Sequence, residues 1–190
     1  PASIAIFIIA EPIIGSFFER GEFTVNDKIL SAKALQAFAV GVPAYVLVKI
    51  LAPIFFSRQD TVTPVKIAIF CVFINFLFNI ILMQFYQHVG IAIATAIASW
   101  LNCLLLFYIL LKSKEFVFDK LLKENFKKIL IANIIFAILV FYFKDFINIF
   151  SSYRFLNLSI FVLLSISFYF LLLNFFKIFI FSNFRLFKLR

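Results

Sequence analysis

The sequence predicts an all-α, polytopic transmembrane helix bundle of six spans, and three observations support this fold class. Hydrophobic residues make up 65% of the 190 residues and charged residues only 14%, with a mean hydropathy of +1.11. Apolar runs of about 20 residues recur, and a helix of that length crosses the hydrocarbon core of a bilayer. Charged residues and Pro, Gly or Asn separate the runs, as expected of loops between membrane helices.

The six spans are predicted in chain order at residues 1–18, 34–56, 65–85, 90–111, 129–149 and 155–176. The first four form a bundle over 1–112, a basic connector follows at 113–128, and a final helix pair with a basic tail occupies 129–190. The connector is either a short interfacial helix or a solvated linker. The chain starts at Pro1 inside an apolar run, so we expect the C-terminal fragment of a longer protein with a truncated first span.

The distribution of basic residues predicts the orientation in the membrane. Most of the 18 Lys and Arg residues fall in the loop after the second span, in the connector and in the C-terminal tail. Cytoplasmic loops carry an excess of Lys and Arg, so these segments are expected in the cytoplasm together with the C-terminus. The net charge of +9 therefore favours anionic membrane lipids over nucleic acid as the charged partner.

The decapeptide 57–66 is the densest polar cluster and connects the second and third spans. Thr63 is predicted to cap the third span, with Pro64 at its first helical position. Arg58 follows the C-terminal end of one helix and Asp60 precedes the N-terminal end of the next, where each charge is favoured. The cluster is thus either a capped structural turn or a cytoplasmic gate that contacts an anionic lipid headgroup.

Four further ionisable residues are candidates for gates. Glu19 and Arg20 lie in a turn on the outer side, which is either a simple helix end or an external gate. Lys49 and Glu11 lie inside apolar spans, where a charge is costly and therefore often functional. Lys49 is close enough to the cytoplasmic end to extend to the surface, and we expect Glu11 to face a wet cavity or a protein partner.

A polar stripe is predicted between the third and fourth spans. Asn75 and Asn79 share one helix face, and counting outward from a turn near Gln87 places Thr95 opposite Asn79. The bland interpretation is interhelical hydrogen bonding. The alternative is a monovalent-cation site formed by Asn75, Asn79, Thr95 and the carbonyl of Ile91. A second packing signal is the series of small residues that opens the fourth span.

The sequence contains no other candidate chemistry. Cys71 and Cys103 lie in apolar helices and are expected to be buried hydrophobes, and His88 has no ligand partners nearby. Since no nucleophile–base set or metal site can be assembled, we expect a protein that is not an enzyme and that needs no cofactor apart from sodium coupling at the stripe.

Four strings together resemble the MurJ (MviN) family of bacterial lipid II flippases, within the MOP exporter superfamily. The resemblance covers residues 1 to about 112, and beyond them only hydropathy and span number agree. The strings are Phe18-Glu-Arg-Gly-Glu-Phe-Thr24, Gly41-x-Pro43 followed by Val48-Lys-Ile-Leu-Ala-Pro53, Ser57-Arg-Gln-Asp-Thr-x-Thr-Pro-Val-Lys66, and Gly90-x-Ala-x-Ala-Thr95.

The resemblance implies that the chain supplies part of one lobe plus the final helix pair of a two-lobed transporter. It implies alternating-access export of the undecaprenyl-pyrophosphate-linked peptidoglycan precursor across the bacterial inner membrane. The final pair would form a groove for the lipid tail, and the main cationic substrate contacts would lie in the N-terminal lobe, which this sequence lacks. Two alternatives stay open: a related exporter of a drug or another lipid-linked oligosaccharide, and a non-transporting remnant of a split gene.

Overall fold

The computed structural model describes residues 1–19, 21–113, 120–148 and 154–176, and every regular element among them is helical. The chain separates into two compact units, residues 2–117 and 118–190. The helices are α1 (Ala2–Ile8), α2 (Ala10–Phe18), α3 (Val25–Phe56), α4 (Val62–Tyr86), α5 (His88–Lys112), α6 (Lys120–Phe143) and α7 (Arg154–Phe175), with a 3₁₀ turn at Lys144–Asn148.

The predicted all-α membrane fold is confirmed. Among the described residues, five helices are long and apolar enough to cross a membrane: α3, α4, α5, and the segments Lys123–Phe143 and Phe155–Phe175 of α6 and α7. The sixth expected span, residues 1–18, consists of two consecutive short helices, α1 and α2, that meet at Ile9. Pro12 has no N–H to donate to the carbonyl of Ile8, which weakens the helix at that point.

Two helices begin earlier than the hydropathy predicts. The helix α3 starts at Val25 rather than at residue 34, because Thr24 and Asp27 form a reciprocal capping box that fixes its first turn. The helix α6 starts at Lys120, so the end of the basic connector is continuous with the spanning helix. Residues 114–119 of the connector lie outside the described part of the chain.

In the first unit, α5 packs along both α3 and α4, while α3 and α4 touch each other little. The buried residues in the first half of α5 are mostly small: Gly90, Ala92, Ala94, Ala96 and Ala98, whereas its second half buries Cys103, Leu106 and Leu110. A Cβ atom built on Gly41 of α3 would lie 3.0 Å from the Cα of Ala96 and 3.2 Å from its Cβ. The backbones of α3 and α5 are therefore close, as small residues permit in membrane bundles.

The turn between α4 and α5 is a single residue, Gln87, with a φ of 51° and a ψ of −133°. Only glycine adopts this left-handed conformation readily. Three residues later, a Cβ on Gly90 would collide with the carbonyl group of Leu82 and lie 2.9 Å from the N of Met83. Gly90 thus permits a hairpin tight enough to hold α4 against α5.

In the second unit, α6 and α7 pack against each other through buried Ala132, Phe136 and Phe161, among others. The rings of Phe136 and Tyr169 meet edge to face at 5.3 Å between centroids. An apolar cavity of about 470 Å³ lies between the two helices, lined by Leu139, Phe143, Phe161, Leu164, Ser165, Ser167, Phe168 and Leu171.

Substitutions at the two hairpin residues, Gly90 and Gln87, should have opposite effects on the free energy of unfolding. Gly90→Ala should lower the free energy of unfolding by about 1–3 kcal/mol, because the added methyl group meets backbone that cannot move aside. Gln87→Gly should raise it by about 1 kcal/mol, because the left-handed strain is relieved. Thermal unfolding in detergent measures both. Equal melting temperatures for the two variants would contradict this description of the hairpin.

Candidate functional site

The turn between α3 and α4, which is expected on the cytoplasmic side and is called the inner turn below, is capped by Asp60. Its Oδ1 accepts a hydrogen bond of 3.0 Å from the backbone N–H of Thr63, and the hydroxyl of Ser57 donates to the carbonyl of Ile54 at 2.8 Å. The prediction that Thr63 caps α4 is wrong, because the helix already starts at Val62. Gln59 turns the chain with a φ of 61°, and Arg58 is exposed beside it.

The capping bond lowers the pKa of Asp60. The backbone N–H of Thr63 favours the charged carboxylate, and the side chain of Thr63 adds to this effect. Asp60 is therefore a fixed negative charge at the positive end of α4, next to two exposed cations, Arg58 and Lys66. This arrangement can present a basic surface to an anionic headgroup while it holds the two helix ends in place.

The turn between α2 and α3, which is expected on the outer side and is called the outer turn below, is closed by an ion pair that no sequence motif predicts. Glu19 Oε2 lies 3.2 Å from Lys28 Nζ, and both side chains are partly exposed. Gly21 turns the chain with a φ of 65°. Arg20, the other predicted gate residue of this turn, lies outside the described residues. No sequence motif points to Lys28 as the partner of Glu19, because their proximity depends on how α2 packs on α3.

The two ionisable residues inside the spans are both exposed on the surface of the first unit. Lys49 places its Nζ 4.6 Å from the ring centroid of Tyr45, a cation–π contact one helical turn away. Glu11 lies in the first turn of α2, where the helix dipole favours a carboxylate. The structure thus gives each charge one local source of stabilisation and leaves it accessible.

The predicted polar stripe is brought together between α4 and α5. Asn79 Nδ2 donates to Asn75 Oδ1 at 2.8 Å, and Asn75 Nδ2 lies 3.5 Å from Thr95 Oγ1. Thr95 Oγ1 donates in turn to the carbonyl of Ile91 at 2.9 Å. The four residues named from the sequence therefore form one chain of hydrogen bonds across the helix pair. The residue of α4 that reaches Thr95 is Asn75 and not Asn79 as the counting predicted, so the predicted pairing is wrong by one helical turn.

The oxygen atoms of the stripe are of the chemical types that bind a hard monovalent cation. It consists of amide, hydroxyl and carbonyl oxygens, which are the groups that coordinate such ions in channels and transporters. The Oδ1 atom of Asn79 is buried and has no hydrogen-bond donor among the described residues. Within the same residues, no three His, Cys, Asp or Glu side chains come together as a metal-binding group.

Three polar residues in the spans were not singled out from the sequence. Trp100 of α5 donates its Nε1–H to the carbonyl of Val40 in α3 at 2.9 Å. Gln36 of α3 donates to the carbonyl of Phe7 at 3.0 Å, next to the break between α1 and α2. Asn102 of α5 has a buried amide oxygen with no donor among the described residues. Of these three residues, only Asn102 could have been assigned to the stripe from the sequence, because it lies at helical spacing from Thr95.

Comparison with known proteins identifies the family. A sequence profile described as lipid II flippase MurJ matches residues 1–179. The chain belongs to the lipid II flippase MurJ family. The resemblance inferred from the four strings is thereby confirmed, and the profile extends it over the final helix pair.

Individual members of the MurJ family are similar to this chain in sequence. The chain is 38% identical over 163 residues to "Probable lipid II flippase MurJ" of Rickettsia prowazekii (strain Madrid E), with 84% of this chain and 32% of the relative covered. A Haemophilus influenzae protein of the same name is 38% identical over 148 residues, with 78% and 29% covered. The chain thus spans about a third of the length of these relatives.

A solved MurJ structure has the same helix arrangement. The structure titled "Lipid II flippase MurJ, inward closed conformation" superposes with a TM-score of 0.72 at 26% identity, and the match covers 93% of this chain and 36% of that one. The MurJ-family chain is therefore a multi-pass membrane protein of a transporter family. The roles of the individual site residues stay predictions.

The cap of the inner turn predicts a pH-dependent stability for this MurJ-family chain. The folded-state pKa of Asp60 lies below its unfolded value, so the stabilisation is present above the unfolded pKa and is lost as the pH falls through the folded pKa. Asp60→Ala should lower the melting temperature at neutral pH, and its difference from wild type should vanish in acid. Asp60→Asn, which keeps an acceptor for Thr63, should fall between the two. A difference in melting temperature between Asp60→Ala and wild type that is the same at all pH values would contradict the capping role of Asp60.

Proposed function

We propose that the chain is part of a flippase that exports the undecaprenyl-pyrophosphate-linked peptidoglycan precursor across the bacterial inner membrane. The observation that carries this proposal is the family match over residues 1–179. The flippase name belongs to the relatives as complete proteins, and this chain covers about a third of the length of each. The activity of the complete protein therefore also needs the lobe that this sequence does not contain.

The two charged turns at opposite ends of α3 suit an alternating-access cycle. This helix has 32 residues, or about 48 Å at 1.5 Å per residue, so its ends extend beyond a hydrocarbon core of about 30 Å. The outer turn, with Glu19 and Arg20, would act as the external gate. The inner turn, with Arg58 and Asp60, would act as the cytoplasmic gate or contact a lipid headgroup.

The exposed charges inside the spans fit a surface that faces the other lobe. Lys49 and Glu11 are accessible in the first unit, and a lipid-facing charge at this depth is unfavourable. We assign both to the cavity between the lobes, where Lys49 would attract the pyrophosphate of the substrate.

The orientation with a cytoplasmic C-terminus follows from the positive-inside rule, and basic residues in the cytoplasmic loops would contact anionic lipids.

The apolar cavity between α6 and α7 supports a role for the final helix pair in accommodating the lipid tail. Its volume is about 470 Å³, and apart from Ser165 and Ser167 its lining consists of Leu and Phe side chains. A cavity of this kind favours a hydrocarbon chain over water. The headgroup would then be handled by the two lobes and the tail by this pair.

Sodium coupling is the proposed role of the polar stripe. The supporting observation is that Asn75, Asn79, Thr95 and the carbonyl of Ile91 are linked by hydrogen bonds between α4 and α5, with the amide oxygen of Asn79 left without a donor among the described residues. A monovalent cation bound there would stabilise the α4–α5 packing in one state of the cycle, and its release would permit the other.

The test uses the protein expressed from its complete gene in a strain whose own flippase is depleted. We expect growth and precursor export to be restored, and export by the purified protein in proteoliposomes to depend on sodium. Thr95→Val should raise the sodium concentration for half-maximal export about tenfold, because one oxygen ligand is lost.

The matched control is Ser159→Ala, which removes a hydroxyl with the same kind of bond, to the carbonyl of Phe155 in α7. It should leave the sodium dependence unchanged. Failure to restore growth, despite normal insertion in the membrane, would reject the flippase proposal. Restored export that is independent of sodium would reject only the coupling.

A further inference from the structure

Asn102 is a polar residue in the middle of the apolar helix α5. Its amide oxygen is buried, and no described residue donates a hydrogen bond to it. Leaving a buried acceptor unpaired costs about 1–3 kcal/mol. Buried polar groups are nearly always paired, and the exceptions often mark a missing water or ion. A leucine at this position would avoid the cost, so the amide calls for an explanation beyond packing.

The position of Asn102 connects it to the polar stripe. Thr95, Ser99 and Asn102 follow one another at helical spacing and therefore share one face of α5, the face on which Thr95 meets Asn75. The Ser99 hydroxyl donates to the carbonyl of Thr95 at 2.9 Å. Asn102 lies about 10 Å from Thr95 along the helix, toward the Lys112 end.

The stripe therefore has an unpaired amide oxygen at Asn79 and another farther along at Asn102. The groups between them are linked by hydrogen bonds and the two outer oxygens are not. Neutral amide oxygens bind a hard cation weakly enough to release it, which is the requirement for passing an ion from one site to the next.

We propose that Asn102 is a second binding station for the monovalent cation, on its way from the Asn75/Asn79/Thr95 site to the cytoplasmic end of α5. The inference rests on the proposed sodium coupling. The oxygen is covered in this conformation, so the ion reaches it when α4 and α5 move apart. Release to the cytoplasm then follows from Asn102 rather than directly from the stripe.

The experiment uses the complete protein with sodium chloride as the probe and two readouts. The first is the export rate in proteoliposomes at saturating sodium, and the second is the melting temperature in detergent as a function of sodium concentration. Asn102→Leu should slow export about tenfold and leave the sodium midpoint of the melting curve unchanged, because the main site is intact. Asn102→Asp should lower that midpoint about tenfold, because a carboxylate binds the ion more tightly.

The matched control is Asn133→Leu in α6, which removes another buried amide oxygen that has no donor among the described residues. It should change neither readout. Wild-type export rates for Asn102→Leu, or an unchanged midpoint for Asn102→Asp, would overturn the inference while sodium coupling stands. If the wild-type protein responds to sodium in neither readout, the coupling fails and the second station fails with it.

Discussion

The structure of the first unit depends on how closely the backbones of its neighbours approach α5. In a bilayer, apolar side chains gain little by leaving lipid for one another, so association depends on packing and on interhelical hydrogen bonds. Small residues on α5 supply the packing, since Gly41 meets Ala96 across the α3 interface and Gly90 lies against the backbone of α4. The same closeness lets the Trp100 indole reach the carbonyl of Val40 and lets Asn75 reach Thr95.

The hydrogen-bonded polar groups described in this unit lie where the close helix packing gives them partners or at the helix ends, whereas the amide oxygen of Asn102 is buried without a donor among the described residues. The length of α3 places its two charged turns outside the hydrocarbon core on opposite sides. Asp60 and Thr24 cap the helices that follow these turns, so the first turn of each helix is fixed by a side chain. Within the spans, the α4–α5 pair concentrates amides and hydroxyls in one stripe, and this stripe is the element to which we assign the cation in the proposed transport cycle.

Much of this arrangement was predictable, and the exceptions have physical reasons. Counting from Gln87 found the members of the stripe, because a short hairpin brings residues of both helices to similar depths. It placed Thr95 opposite Asn79, whereas Asn75, one turn away on the same helix face, makes the contact. The break at Ile9 was missed because hydropathy is continuous across it, although Pro12 was visible. The start of α3 at Val25 was missed because the Thr24–Asp27 capping box lies in a polar segment that hydropathy excludes. The Glu19–Lys28 pair depends on the docking of α2 on α3, which no local pattern reports.

The close approach of α3 and α5 can be measured by disulfide cross-linking in the membrane. Gly41→Cys and Ala96→Cys together would place two Cβ atoms about as close as a disulfide requires, with Cys71 and Cys103 replaced by Ser. Mild oxidation should then protect both thiols from a maleimide-linked polymer. The pair Gly41→Cys with Ile97→Cys, whose second position is exposed, should stay reactive. A Gly41→Cys/Ala96→Cys pair that stays as reactive as the control pair, in protein that is inserted normally, would contradict the packing on which the account rests.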